Sequence, residues 1–230
     1  MSTSTTYTFY FGGELFSAKH LYGNAALAEA IFVLSGGRYT ALLPQHLEQR
    51  EMTAQSIRDT DLRALLGCDL GLFHYDGPEL DSGTVVEYMV AKFADLPSVL
   101  LRTDFRSAGD GKELGGDAWN LMSSFYPRTR VLELNSLGIY QLALGYAVAQ
   151  ADVPAERRGS EAGRMMTEEI ARDVIGAFDE VLALPPALPA PLTESVYRWL
   201  ALMPGLAGAP DENTQAMLEL CARKRAKGLL

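Results

Sequence analysis

The sequence has few side chains that could hold a metal ion or form a disulfide. Its two cysteines, Cys68 and Cys221, are far apart, and so are its three histidines, His20, His46 and His74. No CxxC or HxxxH spacing occurs, although zinc sites usually have spacings of this kind. We therefore expect no zinc site and no disulfide framework.

Long runs of basic or apolar residues are also missing. The formal net charge is -9, and no run of Lys and Arg occurs, which argues against a nucleic acid polymer or an anionic membrane surface as partner. No apolar run approaches the roughly 20 residues that span a bilayer, and the first residues, MSTSTTYTFYFGG, contain no basic segment typical of a signal peptide. We expect a cytoplasmic protein whose ligand is small and neutral or cationic.

The first 150 residues alternate between short β-rich runs and helical patterns, which is typical of β-α-β units. Strands are predicted at about 6–11, 39–43, 69–75, 98–102 and 130–134. Helices are predicted near 18–35, 53–66, 83–95 and 136–150. This order predicts an α/β fold with a five-stranded doubly wound parallel sheet of the flavodoxin-like kind, in which ligands bind beyond the carboxyl ends of the strands. The polar, glycine-rich loop 103–118 is expected near that edge.

The character of the sequence changes after Gln150. An amphipathic helix is predicted near 163–184, followed by a stiff proline-rich spacer, PPALPAPL. Two more helices are predicted, at about 193–202 and 211–227, and Asp211 is a candidate N-cap of the second. We therefore divide the chain into an α/β domain, 1–150, and a helical C-terminal extension, 151–230.

The stretch DSGTVVE, from Asp81 to Glu87, contains two acids without an evident basic partner. On a helical wheel, Val86, Val90 and Phe93 share one face, Glu87 lies at its edge, and no Lys or Arg occupies the i±4 positions. A carboxylate against an apolar face costs free energy unless something uses or neutralises it. The alternatives are that Glu87 is a solvated surface residue and that Asp81 only caps the helix.

Further acids precede this stretch. Asp61 lies in IRDTDL, and Asp69 begins the third predicted strand. Four acids near one sheet edge would suggest glycosyl chemistry, in which one carboxylate attacks an anomeric carbon and an acid assists the leaving group. Asp69 and the turn residue Asp76 are interpreted as supporting residues behind that site.

Four separated segments share a pattern with one enzyme family. They are YFGGELFS at 10–17, IRDTDL at 57–62, CDLGLFHYDGPELDSGTVVE at 68–87 and WNLMSS at 119–124. Because the segments occur in this order and Glu87 lies six positions after Asp81, they resemble the nucleoside 2-deoxyribosyltransferase family over about residues 7–135.

The resemblance implies that Glu87 attacks C1′ of a 2′-deoxynucleoside and holds the sugar as a covalent ester. A free nucleobase would then accept the sugar with net retention. Asp61 would protonate and bind the base, and Tyr10 would hold the Glu87 carboxylate in line for attack. The chemistry requires no cofactor and no metal.

The resemblance also implies residues that bind the substrate. Asp81 would bind a sugar hydroxyl, Phe16 would lie against the base, and Gly12 belongs to the same first loop. Either Gln45 or a neighbouring residue would present an amide to the base. A second set, Asn120 and Met122, would be supplied by a neighbouring chain, which implies a homo-oligomer.

Three features differ from the family pattern. Met89 stands where the family usually has a glycine two residues after the nucleophile, and about 80 residues follow residue 150, whereas familiar members of the family end shortly after the last matching segment. Glu14 in the first loop would repel a 5′-phosphate, which favours free nucleosides. The sequence leaves open a 2′-deoxynucleoside or deoxynucleotide N-glycosidase with water as acceptor, a non-catalytic nucleoside sensor, and the choice between purines and pyrimidines.

Overall fold

The centre of the fold is a parallel sheet of five strands. The computed structural model describes residues 5–47, 53–106 and 115–230. The strands are β1 (Tyr7–Gly12), β2 (Tyr39–Leu42), β3 (Leu70–His74), β4 (Ser98–Arg102) and β5 (Thr129–Glu133). They are ordered β2-β1-β3-β4-β5, and every neighbouring pair is parallel. This order is the flavodoxin-like one, so the predicted fold class is confirmed, and it places a topological switch point between β1 and β3.

Seven helices connect or follow these strands in the described part of the chain. They are α1 (Ala18–Leu34), α2 (Ala54–Gly67), α3 (Ser82–Phe93), α4 (Ser136–Ala149), α5 (Arg158–Leu182), α6 (Thr193–Leu202) and α7 (Pro210–Ala226). The first four begin at side chains that accept a backbone N–H of the first turn: Ser17, Thr53, Asp81 and Asn135. Such N-caps satisfy donors that have no partner inside the helix, which is why the helices begin there.

Helices cover both faces of the sheet. Because side chains alternate along a strand, Phe9 and Phe11 of β1 point to one face and Tyr10 points to the other. On the first face Phe9 packs beneath α1 and α5, and its ring lies 5.0 Å from that of Phe178 in α5. On the second face Tyr10 joins a core formed with α2, α3, α6 and α7. Residues beyond 150 thus contribute to both cores, and the division of the chain at residue 150 stays a prediction.

Two details of the C-terminal region differ from the sequence predictions. Helix α5 begins at Arg158 rather than near 163, and an ion pair between Glu161 and Arg164 supports its first turns. The predicted N-cap Asp211 is wrong, because α7 begins at Pro210 and its N-cap is Ala209. Proline fits the first helical position because the N–H it lacks would have no partner there.

The buried face of α3 also differs from the predicted one. Thr84, Tyr88, Val90 and Ala91 are buried, whereas Val86 is 57% and Phe93 is 55% exposed. The large ring of Tyr88 determines this orientation, because it packs edge-on against two other rings of the core, Phe73 at 5.4 Å and Tyr75 at 6.0 Å.

Only part of the predicted loop 103–118 belongs to the described residues. Residues 107–114 lie outside the described residues, whereas 103–106 directly follow β4 at the carboxyl edge of the sheet. Across the described ranges, none of the helices is long and apolar enough to cross a membrane.

Candidate active site

Glu87 lies directly over the end of β1. The hydroxyl of Tyr10, a fully buried residue, donates a hydrogen bond of 2.7 Å to Oε1 of Glu87. A Cβ atom at Gly12 would lie 2.7 Å from Oε2 of Glu87 and 2.9 Å from the ring of Phe73. Only glycine leaves room for the carboxylate at this point. One oxygen is therefore held by a hydrogen bond, and the other lies against the backbone at the switch point.

The surroundings of Glu87 favour its protonated form more than water does. Burial, with smaller contributions from the charges of Asp61 and Asp81, raises the pKa of Glu87 to about 7 against the opposing effect of the Tyr10 hydrogen bond. Burial and the nearby Glu87 carboxylate also raise the pKa of Tyr10, so its hydroxyl remains a donor at neutral pH. Glu87 can thus be ionised and oriented near neutral pH, as a carboxylate nucleophile must be.

Asp61 reaches the same site from α2. Burial raises the pKa of Asp61, and its charge acts on both Tyr10 and Glu87. Its Oδ1 atom is buried and has no hydrogen-bond partner among the described residues. A half-buried carboxyl group with a raised pKa and a free oxygen can hold a proton and donate it to a neighbouring group.

Asp81 is both a helix cap and a neighbour of Glu87. Its Oδ2 atom accepts hydrogen bonds of 2.8 Å from the backbone N–H and the hydroxyl of Thr84. The capping role that the sequence left open is therefore confirmed. The charge of Asp81 also acts on Glu87, so capping does not exclude a role in the site.

The loop after β1 and the turn after β2 lie nearby along the same edge. Phe16 immediately precedes the N-cap of α1, and its side chain is 75% exposed. The amide nitrogen of Gln45 donates to the carbonyl of Leu21, while its Oε1 atom is buried without a partner in the described part of the chain. Glu14 in the first loop lies 3.1 Å from the imidazole of His20.

Asn120 and Met122 lie elsewhere in the same chain. The side-chain oxygen of Asn120 accepts the backbone N–H of Met122, whose side chain is 73% exposed. Both border an open cavity of about 780 Å³, together with Val85 and Met89 of α3. Helical geometry places those two positions on the other side of α3 from Glu87. Within one chain, therefore, these residues border the cavity rather than the carboxylate group.

Asp69 does not support the site, so its interpretation from the sequence is wrong. As the residue before β3 it lies at the amino edge of the sheet, where it binds the Thr8 backbone N–H and the ammonium group of Lys227. Asp76, in contrast, follows β3 at the carboxyl edge. It accepts the backbone N–H of Asp104 at 2.9 Å and lies 3.0 Å from His74 Nε2.

The close approach at Gly12 was not predicted, although the YFGG segment contains the signal. A glycine at the end of a strand that leads into a site often marks a place where another group approaches the backbone. Among the described residues, no group of three His, Cys, Asp or Glu side chains could hold a metal ion.

Fold and site together define a flavodoxin-like α/β protein with an oriented, half-buried glutamate and two further carboxyl groups at its switch point. The family model for nucleoside 2-deoxyribosyltransferase matches residues 9–124, just over half of the chain. The chain belongs to this family, and the predicted resemblance is confirmed. Membership implies a glycosyltransferase-type activity on deoxynucleosides.

A crystal structure of a conserved protein from Enterococcus faecalis V583 is also similar. The match covers 76% of this chain and 99% of that chain, with 23% sequence identity and a TM-score of 0.44. None of the curated proteins matches the chain.

Proposed function

We propose that the protein is a nucleoside 2-deoxyribosyltransferase that exchanges the base of 2′-deoxynucleosides through a covalent deoxyribosyl ester on Glu87. The observation that carries the proposal is the constraint on this carboxylate, with the Tyr10 hydroxyl 2.7 Å from one oxygen and the Gly12 backbone beneath the other. A surface glutamate would have neither constraint. A pKa near 7 leaves a large fraction of Glu87 ionised at neutral pH.

In the first step, an oxygen of Glu87 forms a bond to C1′ as the glycosidic bond breaks. The electron pair of that bond leaves with the base, and Asp61 supplies the proton that neutralises it. Because 2′-deoxyribose lacks an electron-withdrawing 2′-hydroxyl, positive charge at C1′ develops readily, and one well-placed carboxylate suffices. The Tyr10 hydrogen bond keeps the nucleophile in line for attack.

The second step repeats the first with a different base. A nitrogen of the incoming base attacks C1′ from the face that the first base left, loses its proton to Asp61, and releases the Glu87 carboxylate. Two inversions at C1′ give net retention. Asp81, anchored through Oδ2 to the start of α3, retains Oδ1 for a sugar hydroxyl.

The remaining proposed contacts concern the base and the partner chain. Exposed Phe16 would lie against the base and Gln45 would present its amide to it, while Glu14 favours nucleosides over nucleotides by repelling a phosphate. The protein would act as a homo-oligomer in which Asn120 and Met122 complete a neighbour's site. Its role would be nucleoside salvage in the cytoplasm.

The direct test is incubation of the purified protein with deoxyadenosine or thymidine, with and without a second free base. We expect a new deoxynucleoside only when the second base is present. After an acid quench, mass spectrometry should find a deoxyribosyl group on the peptide that contains Glu87. Glu87→Gln should abolish both the new deoxynucleoside and the modified peptide. The control is Glu79→Gln, which removes a carboxylate from the preceding loop and should leave both unchanged.

Two other outcomes would contradict the proposal. Release of free base and deoxyribose at one rate, regardless of acceptor, would make the protein a glycosidase. Absence of turnover with every deoxynucleoside would favour a sensor.

A further inference from the structure

The loop between α6 and α7, residues 203–209 and here called the α6–α7 loop, binds one side of α2. The backbone N–H of Ala207 donates a 2.7 Å hydrogen bond to Asp59, and Arg58 donates to the carbonyl of Gly205 at 3.0 Å. Arg63 donates to the carbonyl of Ala207 at 2.8 Å. Three residues of one and a half helical turns thus contact a single short loop.

The carboxylate of Asp59 is the centre of these contacts. Asp59 is only 4% exposed. One of its carboxylate oxygens accepts the N–H of Ala207, and the other forms an ion pair with Arg58. From α7, Asn213 accepts a 2.8 Å hydrogen bond from Arg63 and donates to the carbonyl of Leu206, which fixes the loop. A buried charge with this many partners costs free energy when any of them is removed.

The far end of α2 is held by α7 as well. Lys224 of α7 is 3% exposed and donates a hydrogen bond to the carbonyl of Cys68, the C-cap of α2. Between the two ends, Leu62 of α2 and Leu206 of the α6–α7 loop belong to one core cluster. The α6–α7 loop and α7 therefore hold both ends of α2, in addition to its packing against β1 and α3.

The rotation of α2 matters because it carries Asp61. Asp61 lies on a different side of the helix from Asp59, toward Glu87 and Tyr10. Its Oδ1 atom has no partner within the described residues, so its place in the site depends on the helix rather than on its own hydrogen bonds. A displacement of about 1 Å can lower a rate about 100-fold.

We propose that Asp59 is a positioning residue: with the α6–α7 loop it holds α2 so that Asp61 faces Glu87. The role of Asp61 rests on the proposed function, but the placement of α2 does not. The inference assigns a task to the C-terminal helices, which lie outside the residues that the family model matches.

The test compares Asp59→Ala with Asp59→Asn. Asparagine can still accept the N–H of Ala207, so it should retain most of the activity, whereas alanine should lower kcat at least about tenfold with a smaller change in KM.

The pH profile provides a second readout. Three residues face Glu87: Tyr10 from β1, Asp61 from α2 and Asp81 from the start of α3. Only Asp61 should move, so the acid limb of the pH profile should shift to lower pH in Asp59→Ala.

A double mutant separates positioning from general damage. In an Asp61→Asn background, Asp59→Ala should have no further effect on kcat or on the pH profile. Arg63→Gln, which weakens the same contacts from a more accessible position, should shift the profile in the same direction. The matched control is Arg225→Gln, which loses contacts between α7 and the start of α6 but none to α2; it should lower Tm without changing the profile.

A titration of the Glu87 carboxyl carbon by NMR tests the inference even if the proposed function fails. In Asp59→Ala its pKa should fall, because the charge of Asp61 has moved away. An unchanged titration, or an additive loss in the Asp61→Asn background, would overturn the inference. Failure of wild-type transfer with a normal shift in the titration would overturn only the proposed function.

Discussion

At the scale of single residues, the site depends on a glycine as much as on its acids. Gly12 has no side chain, and the Glu87 carboxylate and the Phe73 ring occupy the space where one would begin. The constraint is steric and therefore independent of pH, whereas the Tyr10 hydrogen bond and the charges of Asp61 and Asp81 depend on protonation. The two kinds of constraint lead to separate predictions.

We expect Gly12→Ala to lower kcat about 100-fold or more while the protein still folds. The new methyl group must displace the carboxylate, and overpacking of this kind costs about 1–3 kcal/mol. Circular dichroism measures whether the variant folds, and transfer rates measure its kcat. The control is Gly176→Ala in α5, where nothing lies within 4 Å of the added carbon; it should be as active as the wild type and about 1 kcal/mol more stable. Full activity of Gly12→Ala would show that the carboxylate can act from another position.

We expect Tyr10→Phe to shift the acid limb of the kcat/KM profile to higher pH. The lost hydrogen bond favoured the ionised form of Glu87, so its pKa should rise above the value of about 7. Activity at pH 7 should therefore fall more than activity at pH 9. A profile that keeps its shape and only drops in height would mean that Tyr10 orients the carboxylate without affecting its charge.

At the scale of elements, Asp81 at the start of α3 combines a helix cap with the proposed contact to a sugar hydroxyl. Asparagine caps helices about as well as aspartate, whereas alanine costs about 1 kcal/mol. We expect Asp81→Asn to keep the wild-type Tm and Asp81→Ala to lower it by about 2–4 °C. Both should lose activity, as measured by kcat/KM, because the carboxylate that would bind the sugar hydroxyl is gone. If Asp81→Asn were fully active, Asp81 would be a cap and nothing more.

The elements themselves were largely predictable, because alternating and helical apolar patterns reflect burial directly. All five strands and seven helices occur within a few residues of their expected places. The orientation of α3 was not predictable: Val86 and Phe93 are apolar but exposed, and the helix is turned by Tyr88 instead. The start of α5 was missed for a related reason, since its first turns are stabilised by ion pairs rather than by an apolar stripe.

At the scale of the whole molecule, several large apolar side chains remain exposed around the segment that contains Asn120 and Met122. Leu121 is 48% exposed and Phe125 is 80% exposed, and Val86 of α3 is also exposed. Contiguous exposed apolar groups often mark contact surfaces between proteins. They are consistent with the proposal that two copies meet here and exchange residues.

We expect two inactive variants, Glu87→Ala and Asn120→Ala, to restore activity when they are unfolded and refolded together. In a mixed dimer, the site that retains Glu87 would receive an intact Asn120 from the other chain. Random pairing would restore about a quarter of the sites. Activity assays after refolding, with each variant refolded alone as the control, measure this. No restoration would mean that Asn120 acts within its own chain or has no role in the site.

The contacts of the C-terminal region with α2 could not be predicted from the sequence. The hydrogen bond between Ala207 and Asp59 joins residues 148 positions apart, and no periodicity encodes such a pair. The acids themselves were found because the resemblance supplied their spacing. The chain's own patterns would have left Asp61 and Asp59 indistinguishable, since both are helical aspartates.

The contacts that hold α2 against α7 have a consequence for protein synthesis. All five strands, Glu87 and Asp61 leave the ribosome before the residues of α7 are synthesised. A chain released too early would contain every acid of the site but neither Asn213 nor Lys224 to hold α2. If the proposed function is correct, such incomplete products would exchange bases more slowly than a chain whose translation has passed α7.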